Sequence, residues 1–481
     1  MTNLNFKTKL AYGSGQFVTG SISTAFMLFL LFYYNQVLEV SGALCGMALL
    51  IATIVDAVTD PIMGSISDSW RSRFGRRHPF MYFSALPLGA CFFFLFHPLV
   101  HSEFALFLWL LIFSVLTRLA LTIYAVPHMA LGGELTTDHR ERMSVVAVRL
   151  VFNIVGMMAV YGLGLGFFFA ASEAFPNGQL NTAAYPLFAG CFGVVTVISV
   201  LVTAWGTHHL IPSLSAPAES QGHTAKQLLL EVMDALQNLS FRWLLIGWII
   251  VSAPIGVGSS LALYLNTFFW QVSPQEMIPV LGLSPLAMGI GYMFAPALSQ
   301  YIEKRQALMW GALGWATFSI APVCLYYAGF FPEPGTSGVV IGLSICSFLT
   351  GITVSQLPVA VESMLYDIAE EQELEAGIRQ EGVFYGAHMF VSKASGGVGA
   401  AISGVALDLI DWPVGDNIST AADIPPDTLF QLAMIAGPGL AMGLLPALWC
   451  FHHITLDRQR NAEVLSALAE RKRVAPSGSA T

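Results

Sequence analysis

The chain has 481 residues, 55% of them hydrophobic and only 11% charged, and its mean hydropathy is +0.66. A water-soluble protein carries about 25% charged residues, so this composition excludes a soluble globular fold and indicates a polytopic membrane protein. The net charge of −9 identifies no partner. The six cysteines are scattered through apolar segments without a C-x-x-C pair, which argues against a disulfide framework or a metal site.

Apolar runs long enough to cross a bilayer recur along the whole chain. Six are predicted at 11–34, 43–68, 79–98, 104–131, 144–171 and 185–211, and six more at 241–270, 277–299, 306–328, 338–366, 381–410 and 429–451. A polar segment separates the two sets. The sequence therefore predicts an N-terminal half at 1–211, a central loop with an amphipathic helix at 212–240, a C-terminal half at 241–456 and a tail at 457–481.

The basic residues predict which side of the membrane each loop occupies. Of the 21 Lys and Arg residues, three lie inside predicted spans, and the other 18 lie at the N-terminus, in alternate loops or in the C-terminal tail. The loops on the opposite side contain none. By the positive-inside rule, both termini and the central loop are expected in the cytoplasm, with the chain integral to the inner or plasma membrane of the cell.

Two carboxylates, Asp56 and Asp60, lie within the second predicted span. At i and i+4 of a helix they share one face, with Cβ atoms roughly 6 Å apart. Two carboxylates this close, away from bulk water, cannot both stay ionised without a positive partner. A proton, a bound cation or a basic side chain must therefore accompany them.

Three basic residues also lie inside spans: Arg118, Arg149 and Lys393. A charge at mid-bilayer costs about 2.5–3.5 kcal/mol on insertion scales, so each is expected to have a partner. One interpretation is that they pair with Asp56 and Asp60 only to hold helices together. The favoured interpretation is that the acidic pair binds a coupling ion, because intramembrane carboxylates are functional by default. The two are compatible if a basic side chain competes with the ion.

The second span ends in a longer pattern. Gly64-x-x-x-Asp68 is followed by Arg73-x-Gly75-Arg76-Arg77, and the full run from Asp56 reads D-x-x-x-D-P-x-x-G-x-x-x-D-x-x-R-S-R-x-G-R-R. Gly64 is expected to allow close helix approach, and the charged residues are expected to bridge neighbouring helix ends. The run resembles the loop-2/3 motif of the major facilitator superfamily, and its longer form is similar to the glycoside–pentoside–hexuronide:cation symporter family.

This resemblance extends over most of the chain. It implies an all-α membrane protein with twelve transmembrane helices in two six-helix halves. It also implies a cation site at Asp56 and Asp60, with Thr122 lining the site and Thr59 replacing an amide neighbour. Carboxylate and hydroxyl oxygens suit a hard cation. The expected coupling ion is Na⁺ or H⁺, with no other cofactor or metal.

The substrate positions depart from the family's pattern. Gly20 and Ala125 stand where the resemblance implies sugar-binding aspartates, and Met129 stands where it implies a tryptophan that stacks on the sugar. These replacements place a melibiose-like substrate in question. Arg149 and Lys393 match basic residues near the family's substrate and cation cavity.

Three further residues complete the predicted substrate site. Tyr385 and His388 precede Lys393 at helical spacing. Arg118 has no counterpart in the family's pattern. Its guanidinium could clamp a carboxylate, sulfate or phosphate of an anionic substrate. The alternative, slightly favoured, is a permanent ion pair with Asp56 or Asp60.

The expected function is cation-coupled symport of a small organic solute, a sugar, glycoside or uronide, by alternating access. The alternatives are an anionic or amphiphilic cargo such as a lysolipid, an uncoupled facilitator, and a non-transporting scaffold. No Walker loop, dinucleotide-binding unit or nucleophile elbow occurs in the sequence, so it is not expected to be an enzyme. The expected partners are the solute and the lipid bilayer, without nucleic acid, and a monomer is expected.

Overall fold

The computed structural model describes residues 4–136, 138–213, 235–298, 300–376, 381–415, 418–456 and 458–474. The described residues form helices and connecting turns, without a β-strand among them. Most of the amphipathic helix predicted for the central loop, at 225–239, lies outside the described residues.

The first six helices run through the N-terminal half. They are α1 (residues 6–37, as Phe6–Ser14, Gln16–Ala25 and the π-helical segments Phe26–Leu30 and Tyr33–Val37), α2 (Gly42–Ser69), α3 (His78–Leu95), α4 (Glu103–Glu134), α5 (His139–Ala159, continued by π-helical Val160–Phe168) and α6 (Ala184–His208).

The C-terminal half begins after the central segment. Its helices are α7 (Leu239–Ser260, followed by Ala262–Tyr264 and π-helical Leu265–Phe269), α8 (Met277–Leu298), α9 (Lys304–Tyr327), α10 (Ser337–Val354 and Gln356–Ala376), α11 (Glu381–Leu409), α12 (Pro426–His452) and the polar α13 (Arg458–Val474).

Side-chain caps explain where several of these helices start. Asn5 accepts a hydrogen bond from the Lys7 amide at 3.1 Å, at the start of α1. Asp138 and Asn238 do the same at the starts of α5 and α7, at 2.8 and 2.9 Å. Each cap satisfies an amide that has no partner within its own helix. Polar residues between apolar runs therefore fix the helix boundaries.

The predicted twelve-helix architecture is confirmed. Within the described residues, eleven helices are long and apolar enough to cross a membrane. The twelfth is α1, whose helical segments are each short because a turn at Gly15 and two π-helical stretches interrupt one continuous rod. The predicted spans agree with α2 to α12 to within a few residues, including α7 with its continuation to Phe269, except that α10 extends further, to Ala376.

Two helix pairs make glycine-mediated contacts between the halves. The tightest is α2 against α11, where a β-carbon built on Gly404 would lie 1.9 Å from the Gly42 carbonyl oxygen, and one on Gly46 would lie 2.7 Å from the Ala401 Cα. The second is α5 against α8, where a β-carbon on Gly282 would lie 3.5 Å from the Met158 sulfur. Glycines therefore bring the backbones of α2 and α11 into contact.

The two ends of the bundle differ in how the halves meet. We call the end that carries both termini the terminal end, and the opposite one the far end. At the far end, the Asp408 carboxylate of α11 accepts hydrogen bonds from the Gly42 and Ala43 amides at 2.7 and 2.9 Å, and from the Ser41 hydroxyl at 2.6 Å. A carboxylate of one half thus caps the first turn of α2 in the other half.

Further polar contacts reinforce this closure. The Trp412 indole N–H donates to Gln36 at 2.6 Å, and the Tyr264 hydroxyl donates to Asn35 at 2.8 Å. The Gln179 amide likewise donates to the Thr267 hydroxyl at 2.7 Å. Each of these bonds joins one half to the other. The far end is therefore closed by a layer of interlocked polar side chains.

At the terminal end, every ion pair formed among the described residues stays within one half. Those of the N-terminal half are Lys9–Glu141, Arg76–Glu134, Arg77–Glu134 and Arg77–Asp68, and those of the C-terminal half are Lys304–Asp367, Arg460–Glu371 and Arg460–Glu463. Among the described residues, no ion pair therefore joins the two halves at this end.

Candidate functional site

The acidic pair lies in the middle of α2, facing α4. The Asp56 side chain is 6% exposed and that of Asp60 is 27% exposed. The Thr122 hydroxyl of α4 lies 2.9 Å from Asp56 Oδ1 and 2.8 Å from Asp60 Oδ1. Helical spacing on α2 thus brings both carboxylates to one hydroxyl, as a shared face requires.

Two basic side chains accompany these carboxylates. Lys393 Nζ of α11 lies 2.9 Å from Asp56 Oδ2 and also contacts Asp60 Oδ2. Arg118 Nη1 of α4 lies 3.3 Å from Asp56 Oδ2, and its guanidinium carbon lies 5.1 Å from the centre of the Phe26 ring. Two negative and two positive charges therefore balance at this depth, and Lys393 supplies the link between the halves.

The Thr122 hydroxyl limits how protons are shared in this cluster. A hydroxyl has one proton to donate and two lone pairs to accept with. It therefore donates to one carboxylate at a time, and a second hydrogen bond forms only when the other carboxyl is protonated. The pair is thus arranged so that one added proton completes the hydrogen-bond network.

The donor set suits a hard cation. Asp56 Oδ1 and Asp60 Oδ1 meet at the Thr122 hydroxyl oxygen, and oxygen ligands suit hard cations. Among the described residues, no group of three or more His, Cys, Asp or Glu side chains could hold a metal ion. Thr59 lies beside the pair, but its hydroxyl donates to the Asp56 main-chain oxygen at 3.2 Å. Its predicted part in the cation site remains a prediction.

The predicted substrate residues of the N-terminal half differ in how deeply they are buried. Gly20 lies at a close crossing of α1 and α5, where a β-carbon would meet the Asn153 carbonyl oxygen at 2.2 Å. Ala125 is half-buried and Met129 is 51% exposed. Arg149 lies beside the Tyr12 hydroxyl. A larger side chain at position 20 would therefore force α1 and α5 apart.

Within the C-terminal half, the predicted residues divide into two groups. His388 is buried, and its ring centre lies 5.1 Å from that of Trp248, with the two rings tilted by 57°. It lies 3.4 Å from the Ser392 hydroxyl, which accepts from the Trp248 indole N–H at 2.7 Å. This group packs α11 against α7. Tyr385 instead faces α10 and donates to the Glu362 main-chain oxygen at 3.1 Å.

The residues of the loop-2/3 motif gather around Glu134 of α4. Glu134 lies 2.8 Å from Arg76 and 3.0 Å from Arg77, and Arg77 also contacts Asp68 at the end of α2. Gly75 has a φ of +74°, a conformation that favours glycine and lets the chain turn back toward α3.

The two remaining motif residues make looser contacts. A β-carbon on Gly64 would lie 3.8 Å from the Val126 side chain, an ordinary packing distance, so α2 and α4 are not in tight contact there. The Arg73 guanidinium lies over the ring of the neighbouring Phe74 at 4.7 Å.

Sequence reasoning missed several members of this region. Phe26 lies over Arg118, Trp248 supports Ser392 beside Lys393, and Glu134 joins the loop arginines. A tryptophan in the middle of the seventh span, rather than near its ends, was a signal that could have pointed to Trp248. No comparable pattern marked Phe26 among the many phenylalanines of the chain.

A helical membrane bundle with paired charges between its two halves defines a secondary transporter of the major facilitator type. Residues 11–458 match the family described as MFS/sugar transport protein. The chain belongs to this family; it is a transporter and not an enzyme. The resemblance to cation symporters of glycosides is thereby confirmed.

Named relatives agree with this assignment. The chain is 23% identical to the putative glycoside/cation symporter YagG of Escherichia coli over 419 residues, covering 87% of this chain and 86% of YagG. It is 25% identical to the inner membrane symporter YicJ of Escherichia coli over 477 residues, covering 98% and 96%. The solved structure of the nucleoside transporter NupG superposes with a TM-score of 0.61 at 15% identity, covering 93% of this chain and 99% of NupG.

Proposed function

We propose that this protein is a cation-coupled symporter of a small organic solute, with Na⁺ or H⁺ bound at Asp56 and Asp60. The observation that carries the proposal is the position of Lys393. Its ammonium group comes from one half and contacts both carboxylates of the other half. An arriving cation and Lys393 therefore compete for the same oxygens.

This competition provides a route to coupling. When a cation or proton neutralises the acidic pair, the attraction that holds Lys393 between the halves weakens. The far-end hydrogen bonds then hold the two halves together without the help of the Lys393 ion pairs. Binding of the ion and of the solute would shift the same equilibrium between two conformations, so each tightens the other.

The proposed orientation has the terminal end in the cytoplasm of a cell whose inner or plasma membrane holds the protein. The distribution of Lys and Arg supports it. The separation of the halves toward the terminal end would then correspond to an inward-facing state. A C-terminal green fluorescent protein fusion should fluoresce, and a C-terminal alkaline phosphatase fusion should be inactive. The reverse pattern would invert the proposed orientation.

Transport by reconstituted protein tests the coupling. Proteoliposomes would be given a Na⁺ or a proton gradient, and uptake of radiolabelled sugars and glycosides would be followed. The Asp60→Asn variant should lose gradient-driven accumulation while retaining exchange. The exposed Asp427 at the start of α12 offers a matched control, since Asp427→Asn removes the same charge outside the membrane core. Full accumulation by Asp60→Asn would refute the proposal.

A further inference from the structure

One wall of the C-terminal half carries a carboxylate with aromatic neighbours. Glu362 and Tyr366 lie one turn apart on the exposed face of α10, and Tyr366 is 51% exposed. Tyr385 of α11 donates to the Glu362 main-chain oxygen at 3.1 Å, and its ring centre lies 5.3 Å from that of Tyr366. Tyr292 of α8 lies near the Glu362 carboxylate.

This wall faces the N-terminal half. Its neighbours α8 and α11 both contact the opposite half, through Gly282 against Met158 and through Gly404 against Gly42. The face of α10 that lies between them therefore looks across the space where the halves separate.

The chemistry of Glu362 specifies the kind of group that it can bind. An ionised carboxylate only accepts hydrogen bonds, so a ligand must bring donors. Within the described part of the chain, no hydrogen bond or ion pair engages this carboxylate. The carboxylates of Asp56 and Asp60 are already occupied by Lys393, Arg118 and Thr122.

Among the substrate residues predicted in the other half, Gly20 is buried in the crossing of α1 and α5. Ala125 and Met129 provide no side-chain oxygen, and Arg149 provides only donors. A neutral solute with several hydroxyls suits both halves, because each hydroxyl both donates and accepts. The exposed Tyr366 ring adds a flat surface for the C–H groups of a sugar ring. An anionic solute would instead meet the negative charge of Glu362.

We propose that Glu362, with Tyr366 and Tyr385 beside it, forms the hydroxyl-binding subsite of the substrate and selects neutral sugars or glycosides over their acidic counterparts. This inference rests on the proposed function and names its substrate class. The Tyr385 hydrogen bond to the Glu362 main-chain oxygen holds α11 against α10 at this subsite. The acceptor for the solute, Glu362, comes from the C-terminal half, and the donor, Arg149, comes from the N-terminal half. A solute bound to both residues would connect the two halves.

Binding to the purified full-length protein tests the inference. Isothermal titration calorimetry would use D-xylose, isoprimeverose and melibiose as neutral probes. D-glucuronate, which has the xylose ring with one added carboxylate, would be the anionic probe. At least one neutral sugar should bind more tightly than D-glucuronate. Glu362→Gln should weaken that binding roughly tenfold or more and should narrow the preference over D-glucuronate, because a hydrogen bond to a charged group is lost.

The control is Glu173→Gln, which removes an exposed carboxylate from the loop after α5 and should leave both affinities unchanged. Glu362→Ala serves as a second variant, and equal thermal midpoints without ligand would show that the variants are folded. The inference is overturned if no neutral sugar binds, if D-glucuronate binds most tightly, or if Glu362→Gln binds the neutral sugar as the parent does. The ion dependence of Asp60→Asn is measured separately, so cation coupling can stand while this subsite fails.

Discussion

The far end and the terminal end of the bundle differ in whether their polar contacts join the two halves. At the far end, the Asp408 carboxylate and several amide and hydroxyl groups bond across the halves. At the terminal end, arginines and lysines pair with carboxylates of their own half. Among the described residues, cross-half hydrogen bonds therefore hold this conformation at the far end and not at the terminal end. Lys393 lies between the two ends, where it contacts Asp56 and Asp60.

The largest expected effect comes from removing the positive charge of Lys393. Lys393→Met should abolish ion-driven accumulation and lower the thermal unfolding midpoint, because Asp56 and Asp60 lose a positive partner in a region away from water. The Asp60→Asn/Lys393→Met double variant should regain thermal stability without regaining accumulation. A double variant no more stable than Lys393→Met would show that charge balance is not what Lys393 supplies.

A smaller loss of stability is expected when a larger side chain is introduced at the contact between α2 and α11. Gly404→Ala would place a β-carbon 1.9 Å from the Gly42 carbonyl oxygen, so the helices must separate. Overpacking of this kind costs about 1–3 kcal/mol. The matched control on the same helix is Gly396→Ala, where a β-carbon meets nothing within 4 Å. Thermal unfolding of both variants checks the prediction, and equal midpoints would contradict it.

The far-end cap predicts a conformational shift. Asp408→Ala removes an acceptor for two amides and one hydroxyl of α2, and loss of a cap costs about 0.5–2 kcal/mol. We expect spin labels at residues 173 and 422 to show a larger population at longer distance by double electron–electron resonance. Asp427→Asn should leave the distribution unchanged. An unchanged distribution in Asp408→Ala would mean that other bonds hold this end closed.

The smallest expected effect is on the local stability of the loop between α11 and α12, which lies outside the membrane at the far end. Hydrogen bonds from the Thr420 and Ser419 amides hold the pKa of Asp423 below its usual value of 3.8. A depressed pKa means that the ionised carboxylate stabilises the loop above pH 3.8, and that this stabilisation is lost as the pH falls through the lower folded-state value. Amide exchange at Ser419 and Thr420 should be faster in Asp423→Ala at neutral pH, with the difference vanishing in strong acid. A difference independent of pH would exclude ionisation as its cause.

Much of the fold was predictable because lipid imposes simple rules. Apolar length gave α2 to α6 and most of the later spans, and the spacing of Asp56 and Asp60 predicted that they share a face. The span predicted from hydropathy ends at residue 366, whereas α10 continues to Ala376 through turns that are acidic rather than apolar. Hydropathy cannot detect a helix that leaves the membrane without ending.

The partners of the charges were harder to predict. The sequence left open whether Arg118 pairs with the acidic residues or binds an anion, and in this conformation it lies 3.3 Å from Asp56. That Lys393 would reach both carboxylates depends on the close crossing of α2 and α11, which local patterns do not encode. The role of Gly20 was equally hidden, because a missing side chain looks the same in a binding site and in a helix crossing.

The most direct test measures ion uptake itself, without a solute. Purified protein on a solid-supported membrane would receive a Na⁺ jump or a pH jump, and the charge displaced would be recorded. We expect a saturable charge movement for one of these ions that disappears in both Asp56→Asn and Asp60→Asn and persists in Asp427→Asn, because these two carboxylates bind the coupling ion. Charge movement that survives neutralisation of either carboxylate, or its absence for both ions in the parent protein, would contradict this expectation.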